Sequence, residues 1–80
     1  MKYIVRIEIE NTKRSLYAIF STVIMSFISP FYKTLKDLYK ENPEFLNQKP
    51  QDTFKAIYKL DENKIPYLEI KYKVIKLQPK

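Results

Sequence analysis

Hydrophobic and polar positions alternate in three parts of the chain. In residues 3–10, Tyr3, Val5, Ile7 and Ile9 fall on one side, and Ile4, Arg6, Glu8 and Glu10 on the other. Period two is the mark of a half-buried strand. Residues 53–60 repeat it, with Phe54, Ala56, Tyr58 and Leu60 set against Lys55, Ile57 and Lys59. A third alternating run opens at Pro66, where a missing N–H does least harm to a sheet. There Leu68, Ile70, Tyr72 and Val74 oppose Tyr67, Glu69, Lys71 and Lys73. The alternation slips at residues 74–75, which predicts a bulge or a strand end covered on both faces. Residues 61–64, Asp-Glu-Asn-Lys, predict the turn between the last two strands, with Asn63 as the left-handed position in a chain that has no glycine.

Residues 15–32 break this pattern. They carry no charge, between the Lys13 and Arg14 pair and Lys33. At 100° per residue, Leu16, Ile19, Phe20, Val23, Ile24 and Phe27 form one broad apolar face. The opposite face holds Ala18, Ser21, Thr22, Met25 and Ser29. The segment therefore predicts a helix over about residues 13–28, capped by Asn11 or Thr12, with two covered faces. The small-residue face forms a shallow groove suited to a second helix, and Ala18, Ser21, Thr22, Met25 and Ser29 become the candidate homodimer interface. Pro30 predicts a break, with Ser29 as cap and a second helix running to Glu41; a single helix kinked at Pro30 is the alternative. Phe31, Leu35, Leu38 and Tyr39 give that second helix its apolar stripe. Residues 42–46 predict a short helical turn holding Phe45 and Leu46 on the core, and residues 47–52 a loop.

The expected fold is α+β, in the order β-α-α-β-β: a three-stranded antiparallel sheet with the longest, last strand in the middle and two helices on one face. The runner-up places the first two strands adjacent and parallel through a right-handed crossover.

Composition narrows the function. Eighty residues suggest one domain, of a size that buries only about 60% of its unfolded surface. Without His or Cys there is no imidazole base, thiolate, disulfide or zinc site of the usual kind, and without Gly no phosphate-cradling loop. An enzyme is not expected, nor a cofactor or metal. Glu8 and Glu10 are the one carboxylate pair that could hold Mg²⁺, and a solvated strand face explains them better. Oligomerisation is the remaining common aid to stability.

Fifteen Lys and Arg stand against nine Asp and Glu, a formal charge of +6. Such an excess favours polyanionic partners, although a lysine-rich coding bias produces it too. If the apolar sides of the strands face the helices, Arg6, Glu8, Lys55, Ile57, Lys59, Tyr67, Glu69, Lys71 and Lys73 share the free face. Arg6, Lys55, Lys59, Tyr67, Lys71 and Lys73 are the candidate nucleic-acid site: cations for phosphates, with an aromatic ring beside them for an unpaired base. Lys13 and Arg14, set against the dipole of the expected first helix, are a further pair that could touch a phosphate. Lysines on an open sheet face also keep it solvated, which is the plainer explanation.

The first functional expectation is a small basic protein that binds DNA or RNA. The second is a protein-interaction module, an inhibitor or adaptor of the kind viruses and plasmids encode, using the helix groove or a sheet edge. The opening residues alternate and show no secretory signal. The uncharged run only reaches the lower length of a membrane span, and Pro30 and its hydroxyls argue against one. A cytoplasmic location is expected.

Overall fold

The structure is a computed structural model that describes residues 1–71 and, as backbone alone, 73–76. Its elements run β1 (Lys2–Ile9), β2 (Ser15–Ser21), β3 (Ser26–Phe27), α1 (Leu35–Glu41), a 3-10 turn (Pro43–Phe45), β4 (Asp52–Leu60), β5 (Pro66–Ile70) and β6 (Lys73–Lys76). They form one mixed sheet in the order β3-β2-β1-β4-β5-β6. All neighbouring pairs are antiparallel except β1 with β4, which are parallel; β2, β3, α1 and the 3-10 turn lie between them along the chain.

This overturns the expected three-stranded antiparallel sheet with two helices. The long uncharged segment is not a helix. Its first part is β2, whose register sets Ala18 opposite Val5 and Ile19 opposite Ile4. It turns at residues 22–25 and returns as β3, where Phe27 pairs with Phe20. In β2 the residues Ala18 to Ser21 are buried on both faces, and a strand satisfies that condition as well as a helix does, but the expectation fails at residues 22–25, which are exposed. Tyr, Ile, Phe, Thr and Val dominate the segment, and these residues suit a pleated surface better than a helix. The second expected helix shrinks to α1. Thr34 caps it, its Oγ1 accepting the Asp37 N–H at 3.1 Å, so the helix starts well after Pro30. Asn42 closes it through its backbone N–H and side-chain amide, both donating to the Leu38 carbonyl.

Two cores lie on opposite faces of the sheet. On the inner face Val5, Ile7, Ile9, Ala18, Phe20, Ala56, Leu68 and Ile70 are buried. No helix among the described residues covers them; the sheet curls into a half-barrel around them instead. Phe27 on β3 and Phe54 on β4 are three strand spacings apart, roughly 14 Å on a flat sheet. Their ring centroids are 5.8 Å apart, edge to face. Phe20 meets both rings, at 5.3 and 5.6 Å, and Phe31 packs on Phe27 at 5.2 Å. These rings close one end of the half-barrel.

Among the described residues, the outer face is covered only at that same end. There α1 and the 3-10 turn set Leu38 and Phe45 over Ile4 and Ile19, flanked by Tyr17, Tyr32, Leu35 and Tyr39. The Tyr39 hydroxyl donates to the Gln48 carbonyl and ties the helix to the loop that follows. Phe45 is pinned as expected, whereas Leu46 is exposed. The helix thus lies on the charged side of the sheet, not on the side chosen by the strand alternation.

The last expected strand is two strands. It ends at Ile70, turns, and returns as β6, with Lys73 opposite Ile70; the expected slip at residues 74–75 falls inside β6. The sheet is centred on β1, not on the last strand. Without glycine, left-handed backbone falls to Asn11, Met25, Asn47 and Lys64. In the β4–β5 turn Asp61 Oδ1 accepts the N–H groups of Asn63 and Ile65, both at 2.9 Å. Lys64, not Asn63, takes the left-handed position there. No helix among the described residues is long and apolar enough to cross a membrane.

Candidate nucleic-acid interface

Beyond the helix, the outer face is open. Strand alternation brings Arg6 and Glu8 from β1, Lys55, Ile57 and Lys59 from β4, and Tyr67 and Glu69 from β5 to this side. The register sets Glu8 opposite Lys55, Ile57 opposite Glu69 and Lys59 opposite Tyr67. Lys71 follows Glu69 at the end of β5. Five of the six expected binding residues, Arg6, Lys55, Lys59, Tyr67 and Lys71, therefore share one surface. The sixth, Lys73, stands opposite Ile70 in β6 and out of line with Lys71; its side chain lies outside the described residues.

The cations differ in what they already hold. Arg6 is tied down: Nη2 lies 3.6 Å from Glu8 Oε1, and Nε donates to Ser15 Oγ at 3.2 Å. Lys59 Nζ lies 2.7 Å from Glu69 Oε2. The hydrogen bond and charge of Glu69 raise the Lys59 pKa above its ordinary value. Lys55 and Lys71 are exposed, and neither forms an ion pair among the described residues. They flank a shallow cleft of about 180 Å³ with Ile57 on its floor and Glu10 and Glu69 at its rim. Tyr67 is half-buried beside Lys59, which limits the ring surface a base could stack on.

Lys13 and Arg14 join the patch from a different element than expected. They are not in a helix but in the tight β1–β2 turn. There Asn11 adopts φ +63° and the Thr12 hydroxyl bridges the turn, donating to the Ile9 carbonyl at 2.9 Å and accepting the Arg14 N–H at 3.0 Å. The turn carries both cations to a second cleft, of about 210 Å³, shared with Arg6, Lys55, Glu8 and Glu10. The cluster of two cations at 13–14 was visible in the sequence; its place beside Lys55 depends on the parallel pairing of β1 with β4, the adjacency that the runner-up arrangement offered.

The five residues of the expected dimer groove do not form a groove. Ala18 is buried on the inner face and Ser21 on the other side of the same strand. Thr22 and Met25 lie in the exposed β2–β3 turn, and Ser29 Oγ accepts the Ile19 N–H at 2.9 Å. Glu8 and Glu10 occupy successive outer positions of the β1 end, and Glu8 holds Arg6; among the described residues no group of three or more His, Cys, Asp or Glu could hold a metal. No family model, no curated protein and no solved structure matches this chain.

Proposed function

We propose that the protein binds nucleic acid through the outer face of its sheet and performs no chemistry on it. One observation carries this reading: Lys55 and Lys71, free of carboxylate partners among the described residues, stand on the same open surface as Arg6 and Lys59 and beside Lys13 and Arg14. Ammonium groups of this kind suit phosphate contact, which positions a chain without reading its bases. Lysine predominates over arginine on the face, so little sequence preference is expected. If four cations each neutralise a phosphate of a single strand, log K falls against log salt with a slope of about −3. Fluorescence anisotropy with labelled random-sequence DNA and RNA tests the reading. Binding with that slope, lost on combining Lys55→Glu with Lys71→Glu, supports it; no binding at low salt to either polymer removes it.

A second reading, a protein-interaction module, is favoured by a different feature. The β2–β3 turn exposes three consecutive apolar side chains: Val23 at 80%, Ile24 at 62% and Met25 at 65%. Water-exposed apolar surface of this kind marks interaction sites when it is contiguous. Such a module, whether it binds another protein or a second copy of this chain, would lose its partner on Ile24→Asp and be indifferent to nuclease treatment.

A further inference from the structure

The half-barrel is plugged by aromatic rings at one end and open at the other. The open end exists because β1 stops before β4 does. The last β1–β4 pair is Ile9 with Ala56, the Glu10 N–H donates to the Ala56 carbonyl at 2.8 Å, and β4 runs on to Leu60 alongside β5 only. Past that point Tyr58 has no paired strand on the β1 side among the described residues, and it stays 44% exposed although it belongs to the inner, apolar series.

A cleft of about 450 Å³ opens there, within the size range of small-ligand sites, roughly 300–1,000 Å³. Ile9 and Leu16 are its apolar floor, Tyr58 is one wall, and Lys13, Arg14, Ser15 and Lys33 complete the lining; no carboxylate lines it. The absence of acids sets it apart from both outer clefts, each of which includes glutamates. Lys33 reaches this mouth because the segment before α1 pairs with β2. Tyr17 and Tyr32 exchange backbone hydrogen bonds of 2.8 and 2.7 Å, which sets the residue after Tyr32 beside Leu16.

A ligand that suits this lining has a flat or apolar body for Tyr58, Leu16 and Ile9 and a compact negative group for three cations. We infer that the cleft takes one unpaired nucleotide, its base against Tyr58 and its phosphate among Lys13, Arg14 and Lys33. The inference rests on the nucleic-acid reading of the outer face, because Lys13 and Arg14 border both surfaces. A strand lying across Lys55 and Lys71 meets these two cations at the β1–β2 turn, and its next nucleotide turns over the rim into the cleft. A base held in a duplex cannot do this, so the cleft gives the protein a preference for single strands. That preference comes from stacking, which is tolerant of base identity.

Backbone-amide NMR of the ¹⁵N-labelled protein tests this with three probes: 5′-AMP, inorganic phosphate and a short single-stranded oligonucleotide. The oligonucleotide is expected to move the amides of Leu16, Lys33 and Tyr58 together with those of Lys55 and Lys71. AMP is expected to move the first group alone, and phosphate to do so far more weakly. Tyr58→Ala is expected to weaken AMP and single-strand binding about tenfold while duplex binding holds. Tyr58 is partly exposed, and an unchanged melting temperature in the variant confirms an intact fold. Oligonucleotide shifts confined to Lys55 and Lys71 would overturn the cleft and leave the outer-face reading standing. Shifts at Leu16, Lys33 and Tyr58 with AMP, and none anywhere with oligonucleotide, would do the reverse and assign the cleft to free nucleotides. Equal shifts with phosphate and AMP, unaltered by Tyr58→Ala, would overturn the role given to the base.

Discussion

Lys59 on β4 and Glu69 on β5 are joined across the outer face, Nζ to Oε2, at 2.7 Å. They sit diagonally in the register, since Glu69 is opposite Ile57 and Lys59 is opposite Tyr67. The pair decides which cations are free to meet a phosphate. A lysine already satisfied by a carboxylate gains less from a new anion than one that faces water alone.

Neutralising each lysine in turn should therefore give unequal effects. Lys55→Gln and Lys71→Gln are expected to weaken oligonucleotide binding several-fold each. Each is also expected to make the salt slope shallower by roughly 0.7, the increment for one single-strand phosphate that is no longer neutralised. Lys59→Gln is expected to change affinity less than either. Anisotropy titrations at three salt concentrations measure all of this. A larger loss for Lys59→Gln than for Lys71→Gln would contradict the ranking.

The same pair predicts a pH dependence. Glu69 holds the Lys59 pKa above its ordinary value of 10.5. A raised folded-state value means that the pair's contribution to stability is complete below 10.5 and fades as the pH climbs through the folded value. The melting-temperature difference between wild type and Lys59→Met should be constant across neutral pH and shrink only in strongly alkaline solution. A difference that vanished between about pH 6 and pH 9 would point to some other group.

Met25 and Lys64 adopt φ values of +51° and +59°, in a region where a β-carbon costs about 1 kcal/mol. Lys64→Gly removes that cost, less the extra entropy glycine brings to the unfolded chain. Stability should rise by up to about 1 kcal/mol, a gain of a few degrees in melting temperature for a chain of this size. Met25→Asn should act in the same direction. A fall in both variants would contradict the left-handed turns.

The uncharged segment offers the sharpest test of the fold. Ala18 is fully buried between strands, whereas Thr22 lies in an exposed turn. Ala18→Arg should abolish folding, because it places an unpaired charge in the inner core. Thr22→Arg should be tolerated within about 1 kcal/mol, its lost hydroxyl bond to the Met1 carbonyl being exposed. On a helix the two residues would share a face and respond alike. Thermal melts of both variants, followed by circular dichroism, separate the outcomes.

That contrast also shows what the chain discloses locally. Strict alternation in β1, β4 and β5 identified three strands and put Arg6, Lys55, Lys59, Tyr67 and Lys71 on one face; the register agrees for the first four, and Lys71, just past β5, lines a cleft with Lys55. Charged residues on every second position leave no doubt about period. Residues 15–32 offer no such marker. Without charge to mark a solvent side, a strand pair and a helix leave the same uncharged record, and only the enrichment in aromatic and β-branched residues pointed to the sheet. Local pattern could not place α1 either. Its apolar stripe, Leu35, Leu38 and Tyr39, is legible, but its docking on Ile4 and Ile19 follows from β1 being buried on both faces at one end. Ile4 was the signal: an apolar residue in the otherwise charged series of Arg6, Glu8 and Glu10. The turn after Ile70 carries no glycine or proline, so the break that creates β6, and removes Lys73 from the line of Lys71, left no mark in the sequence.

The central proposal is that the outer face of the sheet is a surface for polyanions. Fluorescence anisotropy of a labelled single-stranded oligonucleotide, titrated with wild type and with the Lys55→Glu, Lys71→Glu double variant across a salt series, tests this most directly. Wild type is expected to bind with a slope of about −3 in log K against log salt, and a double variant that melts at the wild-type temperature is expected to lose at least tenfold. Wild-type affinity in the folded double variant, or no wild-type binding at the lowest salt, would contradict it.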